Sequence, residues 1–199
     1  MKQDYIDLLP TESISLIQKW VAEIDVVIKV VKARKTKLGD FRYSFSNKCI
    51  ITINDDLNPF SFLITLTHEI AHAFVYEEFK GCVASHGKEW KEVFKGLMLN
   101  FLPKNIFPND IMTALSIHLM KPSASSCNDF NLSSALKKYD KIKKLNVSDI
   151  KLGELFVSSN RVFIKGHKLR KRFKCKEIKT NRIYLFNPLA NIDLVKQVS

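Results

Sequence analysis

The chain has 199 residues, 46% of them apolar and 26% charged, with a formal net charge of +12. This is the balance of a soluble globular protein, and the length suits one ordinary domain plus a small second one. No run of about 18 apolar residues offers a membrane span. The opening Met1-Lys2-Gln3-Asp4-Tyr5-Ile6-Asp7 places acids where a signal peptide needs an apolar stretch, so a cytoplasmic location is expected. The four cysteines, Cys49, Cys82, Cys127 and Cys175, form no C-x-x-C pair and point to free thiols in a reducing compartment.

In chain order, Pro10-Thr11-Glu12-Ser13 opens a helix, with Thr11 as N-cap and Ile14, Leu16, Ile17, Trp20, Val21 and Ile24 on its apolar face. Residues 25–31 are β-branched and read as a strand. After a turn at Leu38-Gly39-Asp40, residues 41–45 and 49–53 are predicted to pair as a hairpin around Ser46-Asn47-Lys48. Asn58-Pro59 starts a long helix that Lys80-Gly81 stops. A second helix begins at Ser85-His86-Gly87, with Trp90, Val93, Phe94, Leu97 and Met98 on one face, and a third follows Pro108-Asn109-Asp110 to about Met120. Residues 121–148 contain the loop-like Pro122-Ser123-Ala124-Ser125-Ser126, a short helix over 132–139 and a lysine-rich stretch at 137–144, and are expected to form a linker. Five short strands follow, at 152–157, 161–165, 168–176, 182–186 and 190–195, and suggest a small barrel. The predicted class is α+β. Residues 1–120 supply helices and a small antiparallel sheet, 121–148 the linker, and 149–199 a basic, all-β, barrel-like domain.

His68-Glu69-Ile70-Ala71-His72 spells H-E-x-x-H inside the long apolar helix. Positions i and i+4 share a helix face, so both imidazoles can reach one tetrahedral Zn²⁺. Glu69 is then placed to act as the general base of a metallopeptidase. The plainer alternative is a satisfied histidine pair on a core helix, but two His and a Glu on so apolar a helix need a reason. Catalytic zinc takes three protein ligands and leaves a fourth position for water. His86 is the favoured third ligand, at the start of the next helix. Cys82, Glu89 and Glu92 are the alternatives, and His118 and His167 are too remote. Tyr76, one turn beyond His72, is a weak candidate for oxyanion stabilisation and a better one for packing.

The charge is uneven. Residues 1–136 carry 15 basic and 15 acidic residues, and residues 137–199 carry 17 and 5, so the whole excess lies in the last third. Such segregation suggests a second part that faces a polyanion, against the plainer reading of a solubilising surface. As one strand, 168–176 would present Lys168, Arg170, Arg172, Lys174 and Lys176 on one face, about 6.6–6.8 Å apart, a spacing suited to phosphates. Arg161, Arg182 and the 137–144 stretch could widen that patch, and Tyr184 or Phe186 could stack bases. The competing reading is an edge strand blunted by lysine.

The combination His68-Glu69-Ile70-Ala71-His72-Ala73 and Ser85-His86-Gly87-Lys88-Glu89-Trp90 resembles the SprT/Spartan-type zinc metallopeptidases, whose signature is H-E-x-x-H-A followed by H-G-x-x-W/F. The likeness covers about residues 10–120. It implies a zincin-like domain with one catalytic zinc on His68, His72 and His86, Glu69 as base, and a substrate groove bordered by a strand, expected at 49–53. In the eukaryotic relatives the substrates are proteins crosslinked to DNA. Many relatives also carry a C-terminal zinc ribbon. Here Cys175 stands alone, so a second, structural zinc is not expected.

The leading expectation is a zinc peptidase acting on protein substrates, brought to nucleic acid by its basic C-terminal region. The alternatives are a non-catalytic zinc-containing nucleic-acid-binding protein, with Cys82 closing the metal site, and a regulatory peptidase that cuts one specific repressor.

Overall fold

The computed structural model describes residues 4–34, 36–43, 48–122 and 129–195. The chain divides into two compact units, Met1–Asp140 and Lys141–Ser199. Cys127, residues 44–45 of the expected second strand, Ser46-Asn47 of its turn and residues 123–126 of the expected loop lie outside the described residues. No helix among the described residues is long and apolar enough to cross a membrane.

The first unit opens with α1 (Ile14–Glu23), preceded by a single 3-10 turn over Thr11–Ser13 rather than by a capping Thr11. Three strands follow, β1 (Val26–Val31), β2 (Gly39–Tyr43) and β3 (Cys49–Asn54). They form one sheet in the order β1-β3-β2. β2 and β3 pair antiparallel as a hairpin should, but β1 pairs parallel to β3. The small antiparallel sheet expected from the sequence is therefore a mixed one. The physical reason lies in β3, whose Ile51 and Ile53 are fully buried. A strand that apolar takes the centre, with a partner on each edge, and the more exposed β1 and β2 flank it.

α2 (Pro59–Phe79) is the axis of this unit. It is apolar nearly all round, with Phe62, Leu63, Ile64, Leu66, Ile70, Ala71 and Ala73 buried, as suits a helix enclosed by its neighbours. Asn58 caps it, its Oδ1 accepting from the Ser61 N–H at 2.9 Å, while its Nδ2 donates to the Leu136 carbonyl at 3.0 Å and to Asp140 Oδ1 at 2.6 Å. A cap of this kind contributes about 1 kcal/mol. At the other end Lys80 and Gly81 both turn left-handed, which ends the helix as the sequence indicates. α3 (Lys88–Leu99) packs Trp90, Phe94 and Met98 inward, and α4 (Asn109–Met120) packs Ile111, Leu115 and Leu119.

The short helix expected in the linker is α5 (Phe130–Lys137). Its Leu132, Ala135 and Leu136 are buried in the same core as α2 and α4, so this stretch belongs to the first unit. Tyr139 donates to Asp110 at 2.9 Å and fastens the segment that follows.

The second unit is a five-stranded antiparallel sheet in the order β7-β6-β5-β4-β8. Its strands are β4 (Leu155–Ser158), β5 (Arg161–Lys168), β6 (Phe173–Glu177), β7 (Ile183–Phe186) and β8 (Asp193–Leu194). Among the described residues the expected barrel is not closed, because β7 and β8 are the two edges and do not pair with each other. β8 is only two residues long, and closure requires a continuous ladder round the ring. The core lies on one face of the sheet, where Phe156, Phe163 and Cys175 meet Val147, Ile150 and Ile192. Lys165 is buried there too. Its Nζ donates to the Ile150 carbonyl at 2.5 Å and stands 4.2 Å from the centre of the Phe173 ring. At the bulge in β5, Gly166 lies against the Lys174 carbonyl, where a Cβ would collide.

Candidate metal centre

α2 and α3 build this site together. The i, i+4 spacing sets His68 and His72 on one face of α2, and the tight turn after Gly81 brings His86 back to meet them just before α3 begins. The three Nε2 atoms converge. His68 and His72 stand 3.2 Å apart, His72 and His86 3.0 Å, and His68 and His86 3.3 Å. Three nitrogens bound at about 2.0–2.1 Å to one tetrahedral ion would stand about 3.3 Å apart. Among the described residues this is the group of His, Cys, Asp and Glu side chains whose donor atoms can hold a metal ion. Cys82 is exposed, and it, Glu89 and Glu92 stay outside the group.

Trp90 is the floor of the cluster. It is fully buried, its ring lies 4.5 Å from His68, 5.3 Å from His72 and 4.8 Å from His86, and it is itself stacked on Phe94. Its indole N–H donates to the His68 carbonyl at 3.4 Å. Burial lowers the pKa of all three imidazoles, with mutual repulsion adding for His68 and His72. His68 falls to about 3 and His72 to about 4. The three rings are neutral at neutral pH, which is the form that ligates metals.

Glu69 reaches toward β2 of the sheet. It is buried, and its carboxylate accepts from the backbone N–H of Phe41 on β2. Burial, reinforced by the Asp40 carboxylate, pushes its pKa up to about 8. The Phe41 N–H, Arg34 and Lys37 pull the other way. Gly39 makes this seat. A Cβ there would stand 2.6 Å from Glu69 Oε1, 2.8 Å from Thr65 Cγ2 and 2.9 Å from Glu69 Cγ. Sequence reading placed Gly39 in a turn. The signal that could have found it is a glycine directly before a strand, which often marks close approach of another group.

Both β2 and β3, the latter formed by the residues expected to border a groove, pack against α2. β3 is central and paired on both sides, so β2 is the edge beside α2. Tyr76 packs against Tyr43 and Phe41 of β2, with ring centres 4.6 and 6.0 Å apart. His118 is buried in α4 and hydrogen-bonds Asp129 at 3.0 Å, a role outside the cluster. His167 is exposed on β5.

The basic row of the second unit is not one strand. Lys168 ends β5, Arg170 and Arg172 lie in the turn closed by Leu169 N–H to the Arg172 carbonyl, and Lys174 and Lys176 sit on β6. All five are exposed. Only Lys174 and Lys176 share a sheet face, beside Leu185 and Ile183 of β7. The aromatic rings are on the other face. Tyr184 lies under the Arg161 guanidinium at 4.5 Å, and Phe186 packs against Phe156 and Phe163, so neither is presented for base stacking.

Residues 15–108, which include all of α1 but its first residue, α2, α3 and all three imidazoles, match the model of the SprT-like family. No curated protein and no solved structure matches the chain. The likeness to the SprT-like family, a family associated with zinc metallopeptidases, spans residues 15–108.

Proposed function

We propose that this SprT-like chain is a zinc-dependent endopeptidase with a zincin-like catalytic domain, acting on proteins bound or crosslinked to DNA. The observation that carries the reading is the convergence of three neutral imidazole nitrogens within 3.0–3.3 Å, one residue along the helix from a buried carboxylate. His68, His72 and His86 would hold the ion, a donor set and spacing that fit zinc. Zinc so held supplies Lewis-acid polarisation of a scissile carbonyl and a water acidic enough to be used at neutral pH.

The chain's own residues do the rest. Glu69 takes a proton from the attacking water and returns it to the leaving amine. Burial raises its affinity for a proton, and a cation held by the imidazoles would favour the ionised form that accepts one. The Phe41 N–H and the bare Cα of Gly39 fix the direction in which this carboxylate points. β2 offers a sheet edge along which an extended substrate segment could lie, and Trp90 excludes water from beneath the imidazoles.

Delivery to nucleic acid would fall to the second unit. Lys168, Arg170, Arg172, Lys174 and Lys176 are exposed on one hairpin, and the contact they suit is to phosphates, without reading of bases. The rival reading, a zinc that is only structural, needs a fourth protein ligand, and exposed Cys82 stands outside the donor group.

The test is zinc-dependent proteolysis of a basic protein by the full chain, with and without single- and double-stranded DNA. Glu69→Gln is expected to retain zinc and lose cleavage. Cleavage that persists in this variant would discard the mechanism. Cleavage that DNA fails to stimulate would remove the nucleic-acid half.

A further inference from the structure

On the opposite side of α2 from the imidazoles lies a groove of about 570 Å³, open to solvent. Each of three helices contributes an i, i+3, i+4 triplet to it. α1 and its end give Trp20, Glu23 and Ile24, α2 gives Phe74, Glu77 and Glu78, and α3 gives Val93, Gly96 and Leu97. The triplets are consistent in kind. The floor is apolar, and the charged members are all carboxylates.

Two independent features say what this groove takes. The first is charge. Among its nine lining residues there is no lysine or arginine, although the chain carries 32 of them against 20 acids. Lys80 engages Glu77 at 2.7 Å, while Glu23 and Glu78 form no ion pair among the described residues. The second is Gly96. Glycine inside a helix is costly relative to alanine, and here it leaves this stretch of the groove wall without a side chain. A Cβ at Gly96 would meet nothing within 4 Å in this chain. The open backbone therefore serves no packing within the unit and leaves room for a bulky group from outside.

We propose that this groove docks a basic amphipathic segment of a partner protein, its aliphatic side chains on Phe74, Val93 and Leu97 and its lysines or arginines on Glu23 and Glu78. Helical and extended segments with one apolar and one cationic face both bind in this way. Nucleic acid is excluded by the same carboxylates. The docking itself requires neither zinc nor hydrolysis. That the docked protein is also the one cleaved rests on the peptidase reading above.

The experiment uses the full chain carrying Glu69→Gln and a synthetic amphipathic peptide of alternating leucine and lysine faces, with calorimetry as the readout. A peptide with glutamate for every lysine is the control. Glu23→Gln with Glu78→Gln is expected to weaken binding by at least about threefold at low salt, the size of two partly exposed ion pairs, with the difference shrinking as salt rises. Gly96→Leu fills the groove and should weaken binding by about tenfold or more, while raising the melting temperature because leucine is the better helix former. That opposite movement separates loss of docking from loss of fold. Affinity unmoved by both variants, or equal affinity for the acidic control, overturns the proposal. Docking as expected with no cleavage of any protein by the wild-type chain would sink the peptidase reading and leave the groove's assignment standing.

Discussion

A single methyl group at position 39 tests how Glu69 is held. Gly39 lies outside the left-handed region, so alanine meets no backbone penalty there and the cost is contact alone. The added Cβ would stand 2.6 Å from Glu69 Oε1 and 2.8 Å from Thr65 Cγ2, well inside the roughly 3.5 Å at which such atoms rest. Overpacking of this kind costs about 1–3 kcal/mol, offset by about 0.4–1 kcal/mol from the stiffer unfolded chain. A net destabilisation of about 0.5–2 kcal/mol is expected for Gly39→Ala.

The carboxylate is the softest neighbour and would move by about 1 Å, a displacement able to cost about a hundredfold in turnover. No imidazole is among the atoms nearest to the added Cβ, so zinc content should stay at the wild-type level. The assay is kcat and KM on a casein substrate, alongside metal analysis and a thermal melt. Adding Thr65→Ser removes Cγ2 and should restore part of the stability without restoring turnover, because the clash with Glu69 remains. Full activity in Gly39→Ala, or zinc lost in step with activity, would refute the reasoning.

Other measurements bear on the rest of the molecule. Arg161, at 2.6 Å, and the Thr180 hydroxyl hold the Glu177 carboxyl down to about 2, below its ordinary 4.5. The stability this gives is complete above about 4.5 and is lost as pH falls through about 2. Glu177→Gln should thus lower the urea midpoint at pH 6 and flatten its decline between those values. Gly166→Ala drives a methyl into the Lys174 carbonyl at the β5 bulge and should cost about 1–3 kcal/mol, read as a lower melting temperature. Cys82→Ser should leave zinc stoichiometry and affinity unchanged in a competition titration, since the thiol lies outside the donor group.

Sequence carried the helical part of the site well, and for a definite reason. The ligand spacing in His68-Glu69-Ile70-Ala71-His72 is a statement about helical period, and period is local. His86 could be placed because few residues separate it from His72, so one turn sufficed. What sequence could not supply was pairing across distance. The β-branched run at residues 25–31 identifies a strand, yet nothing in it says that β1 lies parallel to β3 on the side away from β2. That arrangement leaves β3 paired on both sides and makes β2 the edge strand that meets Glu69.

The basic run failed differently. Its alternating lysines mimic a strand from 168 to 176, and the turn at residues 169–172 contains no glycine, proline or asparagine to announce it. Closure of the second sheet was overestimated because strand count was visible and strand length was not. Two residues of β8 cannot carry a ring.

α2 carries His68, His72, the carboxylate and one wall of the rear groove on different sides of one rigid rod, while His86 stands before α3. A slide or a roll of the rod therefore parts the two imidazoles from His86 as it parts the carboxylate from β2. Substitutions beyond the rod's ends, which leave its seat unmoved, should be forgiven more readily than those that change the thickness of whatever wedges it on either flank.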